Sequence, residues 1–436
     1  MTASSTDAPH GRPLTHSDLG KGRESSFRDP QAAGHGPVTR RLSPQSLLHA
    51  PRLGQGGIYL RRSGLSFNVS VSRRDDYDIV VGRGSLAHLA EHLAPFMAAN
   101  DSESAVIICD NNVRPLYLDS VRGLLEAEGI SCADLEVPAG ELSKSVATAQ
   151  GLWDDLRRLG VRRRSVLIAL GGGVVCDLVG FVASGYMRGV PYVNVGTSLM
   201  GQVDGAIGGK VGVDHRTGKN LIGAFYHPGL VVIDPECLKT LPRREIVNGL
   251  AEVVKVAMIS SADLFARLER IDLGKEEDGP IGDALLRRFD PIISEAIRIK
   301  LDLLAPDPFE QDLHRLLNLG HSVGHALEAA TSYTRYRHGE AVAIGIATVS
   351  AIAANEGICS RETLQRILDL LRRLGLPAAV PEELRNAVWA HLESIRLVRN
   401  GKLLLVLPFQ IGQCEIIDDV SRDQLDAACD RVMGAC

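Results

Sequence analysis

The sequence predicts an α/β fold, with an N-terminal Rossmann-like open parallel sheet followed by a C-terminal domain that is mainly α-helical. Two observations lead to this prediction. Up to about residue 242, short apolar strands alternate with amphipathic helices, which is the pattern of a parallel α/β sheet. After about Pro242, strand patterns become rare and long amphipathic stretches replace them. We therefore expect a disordered tail at 1–65, an α/β domain at 66–242 and a helical domain at 243–436.

The composition excludes several classes of protein. The chain has 436 residues, 45% of them hydrophobic and 23% charged, which is enough for two globular domains. Its net charge of −5, without a basic stripe, predicts no nucleic-acid partner. The eight cysteines form no CxxC pair, as in a protein with reduced thiols. We find no membrane-spanning stretch and no signal core after Met1, so we expect a cytoplasmic protein.

The individual elements follow from local patterns. The tail is rich in Pro, Gly, Ser and His and has no sustained apolar period. The strands are short runs rich in Val and Ile, and the helices repeat apolar residues every three or four positions. The expected elements of the first domain are strands at 67–72 and 77–82, a helix at 85–100, a strand at 105–110, a helix at 113–129, a strand and loop at 132–141, a helix at 146–160 and a strand at 165–170. Those of the second domain are helices at 244–259, 283–305 and within 314–345, and one hairpin strand at 403–412.

A buried strand at 165–170 runs into Gly171, Gly172 and Gly173 and then into a helix. Glycines let the backbone approach a phosphate, and the start of a helix offers free N–H groups and a positive dipole end. The motif is not G-x-G-x-x-G, so a tight strand–helix turn without a ligand is an equally good interpretation.

Polar side chains follow two further expected strands. Asp110, Asn111 and Asn112 end one, and Glu141 and Lys144 follow the next. Ligands of open parallel sheets bind at the carboxyl ends of the strands, where Asp110 or Glu141 could hold ribose hydroxyls. The alternative is that these residues only solvate loops.

The segment 196–228 is unusually rich in glycine and carries Asp204, Lys210, Lys219 and Asn220. A lysine cation beside approachable backbone donors suits a phosphate or a carboxylate. We therefore favour an anion-binding loop over a set of solvated surface lysines.

Acidic and imidazole side chains occur on apolar helices farther along the chain. Glu252 and Lys255 share a helix face, and a buried carboxylate requires a cation or a metal. Asn318, His321 and His325 would form one stripe of a helix, and His338 would begin the next. Two imidazoles with one carboxylate are a common site for catalytic Zn²⁺, with Glu252 as the candidate carboxylate. A surface salt bridge and packing histidines are the alternatives.

Over residues 67–415 the chain resembles the 3-dehydroquinate synthase family of sugar phosphate cyclases. Nine motifs, in order, carry the resemblance: DNNV (110–113), PAGELSKS (138–145), GGGVVCDLVGF (171–181), YMRG (186–189), QVDGAIGGK (202–210), GKNLIGAFYHP (218–228), GLAEVVK (249–255), LLNLGHSVGHALE (316–328) and HGEAVAIG (338–345).

The resemblance implies a homodimeric lyase that needs NAD⁺ and a divalent metal, Zn²⁺ or Co²⁺, and converts a seven-carbon sugar phosphate into a carbocycle. The implied metal ligands are Glu252, His321 and His338. The implied NAD contacts are Asp110, Asn112, Glu141, Lys144, Gly172, Gly173, Asp177, Thr197, Ser198 and Lys219. The implied catalytic residues are Asp204, Lys210, Lys255, Lys300, Asn318 and His325. Further substrate contacts would come from Asn220 and from Arg188, which would reach the partner subunit's site.

Two departures from the family pattern concern the substrate. Four residues before Asn318 the synthases have an arginine that grips the substrate carboxylate, whereas this chain has His314 with Arg315 beside it. A lysine pair before the late strand is replaced by Ile395-Arg396-Leu397. His314, Arg315 and Arg396 are therefore candidate substrate-binding residues.

We expect the 3-dehydroquinate synthase reaction on 3-deoxy-arabino-heptulosonate 7-phosphate. One alternative is a cyclitol- or aminodehydroquinate-forming cyclase of secondary metabolism, acting for example on sedoheptulose 7-phosphate, which has no carboxylate. Another is a metal-dependent alcohol or glycerol dehydrogenase, against which Lys210 and Lys219 argue. A non-catalytic relative is the third, and the retained metal triad argues against it.

Overall fold

The structure is a computed structural model, and it describes residues 58–63, 66–71, 75–215, 218–274, 281–312, 314–398 and 401–435. The chain divides into two compact units, residues 1–74 and 75–436. In the first unit, strand β1 (Ile58–Ser63) pairs antiparallel with β2 (Ser66–Val71). Strand β1 lies inside the expected disordered tail, because its Ile-Tyr-Leu run favours a strand despite the polar composition around it. The expectation for residues 1–57 lies outside the described residues.

The second unit is built on a six-stranded parallel sheet, which confirms the expected α/β class. Its strands are β3 (Asp78–Val81), β4 (Ser104–Asp110), β5 (Ser131–Val137), β6 (Val166–Gly171), β7 (Tyr192–Gly196) and β10 (Leu230–Ile233), in the spatial order β3-β10-β7-β6-β4-β5. The direction of chain progression reverses between β4 and β6. A ligand crevice is therefore expected at the carboxyl ends of these two strands.

Helices cover both faces of this sheet. They are α1 (Leu89–Ala99) and α2 (Asp119–Ala127) on one face and α3 (Val146–Arg158) and α4 (Gly173–Gly185) on the other. Successive strand residues point to opposite faces, so Ile107 joins the α1–α2 core and Ile108 the α3–α4 core. Such strands are buried on both sides and read as continuous apolar runs.

The remaining chain is mainly helical. It comprises α5 (Arg243–Ser260), α6 (Ala262–Leu268), α7 (Asp283–Leu304), α8 (His321–Ala330), α9 (His338–Asn355), α10 (Arg361–Arg373), α11 (Arg385–Val398) and α12 (Arg422–Ala435), with one hairpin of β11 (Leu405–Gln410) and β12 (Gln413–Ile417). Val231 and Ile233 of the sheet belong to the same apolar core as α5, α7 and α9. Among the described residues, we find no helix that combines the length and the apolarity needed to cross a membrane.

Two local expectations differ from the structure. The glycine-rich segment is not a loop but contains an antiparallel ribbon of β8 (Lys210–His215) and β9 (Gly218–Phe225), because alternate apolar residues such as Val211 and Val213 pack on α4. The helix expected to carry Asn318 with the histidines is interrupted. Asn318 lies in a 3-10 turn, and Gly320 has a left-handed φ of 77°, so α8 starts at His321.

Candidate functional site

Three helices bring the predicted metal ligands together. Glu252 lies on α5, His321 begins α8 and His338 begins α9. Nε2 of His321 and Nε2 of His338 each lie 3.7 Å from Oε1 of Glu252. His325, one turn farther along α8, completes a group of three imidazoles with ligand nitrogens within 4.8 Å of one another.

Glycines allow these helices to approach so closely. A Cβ on Gly339 would lie 1.9 Å from the backbone oxygen of Asn248, which is one turn before Glu252 on α5. A Cβ on Gly345 would lie 1.9 Å from the backbone oxygen of Gly320. The backbone N–H of Gly339 also donates to Oδ1 of Asn248 at 2.7 Å, which fixes the start of α9 against α5. The glycines beside the ligands therefore position the site.

The hydrogen bonds of the imidazoles fit a bound cation. Nδ1 of His321 lies 3.1 Å from the backbone oxygen of Leu319, and Nδ1 of His338 lies 3.3 Å from Oε2 of Glu328. Both oxygens only accept, so each Nδ1 carries a hydrogen. His321 is neutral and presents the Nε2 lone pair toward Glu252. Burial lowers the pKa of His338, but Glu328 and Glu252 outweigh it and raise that pKa, and its Nε2 faces the same carboxylate. Oε1 of Glu252 is buried and has no hydrogen-bond partner within the described part of the chain. Two imidazole nitrogens and one carboxylate oxygen facing one another suit Zn²⁺ or Co²⁺.

Electrostatics favour neutral imidazoles at two of these positions. Burial lowers the pKa of His321 well below its ordinary value, and the cation of Lys255 acts in the same direction. Burial likewise lowers the pKa of His325 to about 4, with His338 contributing. Burial also disfavours the charged form of Lys255, but its ion pair with Glu252 outweighs this and its pKa is raised. Neutral His321 and charged Lys255 thus flank the same carboxylate.

The predicted catalytic lysines surround one carboxylate. Nζ of Lys300 on α7 donates to Oδ1 and to the backbone oxygen of Asp204, both at 2.6 Å. Burial raises the pKa of Asp204, but Lys300, with Lys255 and Lys210, outweighs it and holds the pKa far below its ordinary range. The structure therefore assembles the ammonium groups of Lys210, Lys255 and Lys300 into one cluster around Asp204, in which Lys210 also pairs with Glu310 and Lys255 with Glu252. Such a cluster suits a phosphate group.

Glu310 was not predicted as a site residue, although it pairs with two residues that were, Lys210 and Arg315. Its side chain is buried, and its carboxylate pairs with both Lys210 and Arg315. Arg315 also donates through Nε to the backbone oxygen of Asp312 at 2.5 Å. A lone acid in an irregular loop gave no sequence signal, because the pairing depends on how the loop folds. Arg315 is therefore held by the protein itself.

The other candidate substrate contacts differ in position. His314 is exposed, with Nδ1 3.0 Å from Oδ1 of Asp312. Arg396 pairs with Glu393 at 3.1 Å and with Asp419 at 2.5 Å. Within the described ranges, Arg396 contacts no predicted site residue, because its guanidinium is paired with Glu393 and Asp419. The structure therefore does not place Arg396 in the site.

Asn318, Asn220 and Arg188 are placed by turns. Asn318 is half-buried in the 3-10 turn ahead of α8. Asn220 adopts a left-handed φ of 54° within β9. Arg188 is exposed and follows Met187 in two successive left-handed residues, with φ of 65° and 48°. This turn presents Arg188 to the outside of the described chain.

Residues of the predicted NAD pocket form a buried polar network. Lys144, 4% exposed, donates through Nζ to Oδ2 of Asp177 and to Oδ1 of Asn220, both at 2.5 Å. Lys219 lies 3.0 Å from Oε1 of Glu141 and 2.9 Å from Oε1 of Glu328. The ribbon β8–β9 is thereby tied both to the sheet and to α8.

The backbone of this pocket is packed at glycines. A Cβ on Gly172 would lie 2.9 Å from Oγ of Ser198, and one on Gly205 would lie 2.8 Å from Cα of Gly173. Thr197 beside them is buried. The loops after β6 and β7 therefore touch.

The end of β4 carries the last two predicted NAD contacts. Oδ1 of Asp110 accepts from the backbone N–H of Asn112 and of Val113, both at 2.9 Å. Asp110 thus shapes its own turn, and Asn112 is exposed beside it.

Two family models match the chain in succession, 3-dehydroquinate synthase N-terminal over residues 134–248 and 3-dehydroquinate synthase C-terminal over residues 249–395. The chain belongs to the 3-dehydroquinate synthase family. It is therefore an enzyme of the dehydroquinate synthase-like group, with the fold expected from the sequence.

Relatives within this family carry two different names. The chain is 60% identical over 380 residues to a 2-epi-valiolone synthase of Stigmatella aurantiaca, covering 87% of this chain and 94% of the relative. It is 42% identical over 351 residues to a 3-dehydroquinate synthase of Symbiobacterium thermophilum, covering 80% and 96%. Among solved structures, ValA, the 2-epi-5-epi-valiolone synthase of Streptomyces hygroscopicus subsp. jinggangensis 5008 with NAD⁺ and Zn²⁺ bound, matches with a TM-score of 0.75 and 32% identity, covering 85% of this chain and 100% of ValA.

Proposed function

We propose that this chain is a sugar phosphate cyclase, dependent on NAD⁺ and a divalent metal, that converts sedoheptulose 7-phosphate into a valiolone-type cyclitol and inorganic phosphate. This replaces the expected dehydroquinate synthase reaction with the alternative considered beside it. The observation that carries the proposal is the pairing of Arg315 with buried Glu310 next to His314, where the synthases hold a substrate carboxylate.

The charges near His314 do not favour a substrate carboxylate. Arginine offers a permanent two-pronged donor, whereas histidine offers at most one charged donor near neutral pH. Arg315 is committed to Glu310, and His314 itself faces Asp312. A carboxylate arriving here would compete with these acids and forgo a charged hydrogen bond worth about 1.5–3 kcal/mol. Sedoheptulose 7-phosphate has no carboxylate and avoids this loss.

The relatives support the same choice. The relative named 2-epi-valiolone synthase is 60% identical to this chain, against 42% for the one named 3-dehydroquinate synthase. ValA, which binds NAD⁺ and Zn²⁺, has the same fold over its full length. The dehydrogenase alternative loses support because the family models match both halves of the site.

Different groups of residues would hold the metal, the cofactor and the sugar phosphate. When bound, NAD⁺ accepts and returns a hydride, and a divalent metal lowers the pKa of a coordinated hydroxyl. Glu252, His321 and His338 would hold the metal, and the network around Lys144 and Lys219 would hold NAD⁺.

The ammonium groups of Lys210, Lys255 and Lys300 would position the phosphate, each exchanging part of its contact with a carboxylate for a phosphate oxygen. The ketone formed by oxidation acidifies the neighbouring C–H, so that the C–O bond to phosphate breaks and the proton passes to a phosphate oxygen. His325 and Asn318 would orient the sugar during ring opening and the internal aldol reaction. A lyase of this kind needs positioning and charge stabilisation more than a nucleophile.

We also propose that the enzyme is a homodimer in which Arg188 reaches the partner's phosphate site. Exposure of Arg188 on a strained turn supports this. Phosphate release from each sugar phosphate in turn tests the proposed function. Turnover of sedoheptulose 7-phosphate is the expected result.

A further inference from the structure

We propose that Glu328 is a positioning residue whose single carboxylate orients both the metal ligand His338 and the cofactor-pocket cation Lys219. This inference rests on the metal and NAD⁺ sites of the proposed function, but not on the identity of the sugar.

The two oxygens of Glu328 have different partners. The residue is 1% exposed on α8. Its Oε2 lies 3.3 Å from Nδ1 of His338, and its Oε1 lies 2.9 Å from Nζ of Lys219. Lys219 in turn lies 3.0 Å from Oε1 of Glu141. A continuous chain of polar contacts therefore runs from the metal centre to the predicted NAD pocket.

Each contact has a direct chemical consequence. A carboxylate that accepts from Nδ1–H of His338 fixes the ring orientation and the tautomer, and makes Nε2 a better metal ligand. Nearly complete burial of a carboxylate is costly without a cation, and Lys219 supplies it. If His338 or Lys219 moves, the position of the Glu328 carboxylate changes, and with it the contact to the other residue. Metal and NAD⁺ affinities are therefore linked through Glu328, and this linkage is reciprocal.

Glutamine at this position gives a sharp test, because its shape is retained. An amide accepts through one oxygen, and its NH₂ group would face either Nδ1–H of His338 or the ammonium of Lys219, both donors. Glu328→Gln is therefore expected to lose one contact while keeping the volume of the side chain. Glu356→Gln, on an exposed residue at the end of α9, removes the same charge away from the site and is the control.

The experiment measures Zn²⁺ affinity by competition with a chromophoric chelator, the visible absorption of the Co²⁺ form, and NAD⁺ affinity by calorimetry. Glu328→Gln is expected to weaken Zn²⁺ binding roughly 10–100-fold and to change the Co²⁺ spectrum. Glu356→Gln is expected to stay within about twofold of the native protein. Native-like Zn²⁺ affinity and Co²⁺ spectrum in folded Glu328→Gln would overturn the inference.

If Glu328→Gln fails to fold, the linkage can be tested by measuring NAD⁺ affinity of the native protein with and without metal. Removal of the metal with a chelator is expected to weaken NAD⁺ binding by about fivefold or more, and Lys219→Met is expected to abolish this dependence. NAD⁺ affinity that does not depend on the metal would contradict the linkage. Neither readout uses a sugar phosphate, so a wrong substrate assignment leaves both results unaffected.

Discussion

The guanidinium of Arg315 pairs with the buried carboxylate of Glu310 in the loop that leads to α8, the helix that begins at His321. The same carboxylate pairs with Lys210. Since Glu310 already pairs with both cations, a substrate carboxylate brought to them would meet repulsion as well as attraction. The pair is therefore the observation on which the proposed preference for a sugar without a carboxylate rests.

His314→Arg should make the enzyme more tolerant of the carboxylate-bearing sugar. The new side chain adds a permanent charged donor next to the committed Arg315, so kcat/KM for 3-deoxy-arabino-heptulosonate 7-phosphate should rise about tenfold or more relative to that for sedoheptulose 7-phosphate. His88→Arg, which adds the same charge at an exposed position on the N-terminal side of α1, is the control and should leave the ratio unchanged. An unchanged ratio in His314→Arg would count against the substrate argument.

Glu252→Gln, His321→Ala and His338→Ala should each lose metal and activity together. Glu252→Gln removes the negative charge of the carboxylate, and each alanine variant removes a ligand nitrogen, so Zn²⁺ affinity should fall by more than about 100-fold. Metal content after dialysis and phosphate release are the two measurements. His88→Ala removes an exposed imidazole and should change neither. Retention of one equivalent of tightly bound metal in His338→Ala would show that the triad is misassigned.

The parallel sheet, and the presence of His321 and His338 on helices, could be predicted from the sequence because their signals are local. Alternating strands and helices identify the sheet, and histidines set in apolar helix-like stretches mark His321 and His338. Glu328 carried a usable signal, since it lies seven residues after His321 and three after His325 on the same face of α8. An acid on that stripe of an apolar helix could have been recognised as part of the site.

Other features depend on contacts between segments distant in the sequence. Asn318 was expected on the histidine helix, but the left-handed Gly320 is forced by its contact with α9, which no local pattern reveals. Glu310 reaches Lys210 only because the loop after α7 folds onto the ribbon β8–β9. Arg396 was predicted to replace a family lysine, but its guanidinium instead forms an ion pair with Asp419, 23 positions later.

Lys300→Met should destabilise the protein in a pH-dependent way. Lys300 holds the pKa of Asp204 far below its unfolded value of about 3.9, so the pair stabilises the fold fully above that pH and less as the pH falls through the folded-state pKa. At pH near 7 the loss should be about 1.5–3 kcal/mol, since a charged hydrogen bond is removed. Urea unfolding at several pH values measures it.

Arg298→Met provides the matched control on the same helix. Its ion pairs with Glu295 and Asp302 are exposed, so the loss should be at most about 1 kcal/mol. A destabilisation by Lys300→Met that stays constant from neutral to strongly acidic pH would show that the ion pair is not its cause.

NAD⁺ should be required only in catalytic amounts, because the hydride that it accepts is returned within each turnover. With excess sugar, phosphate release should exceed the amount of NAD⁺ many times while NADH absorbance stays flat after the first turnover. Accumulation of NADH in proportion to product would instead indicate a dehydrogenase.

Phosphate release by the purified chain of 436 residues tests the proposed substrate most directly. The assay contains NAD⁺ and Zn²⁺ or Co²⁺, with sedoheptulose 7-phosphate and 3-deoxy-arabino-heptulosonate 7-phosphate given separately. We predict turnover of sedoheptulose 7-phosphate, with kcat/KM for the carboxylate-bearing sugar lower by about tenfold or more. Release of phosphate from 3-deoxy-arabino-heptulosonate 7-phosphate alone would contradict the proposed substrate and restore the dehydroquinate synthase reaction.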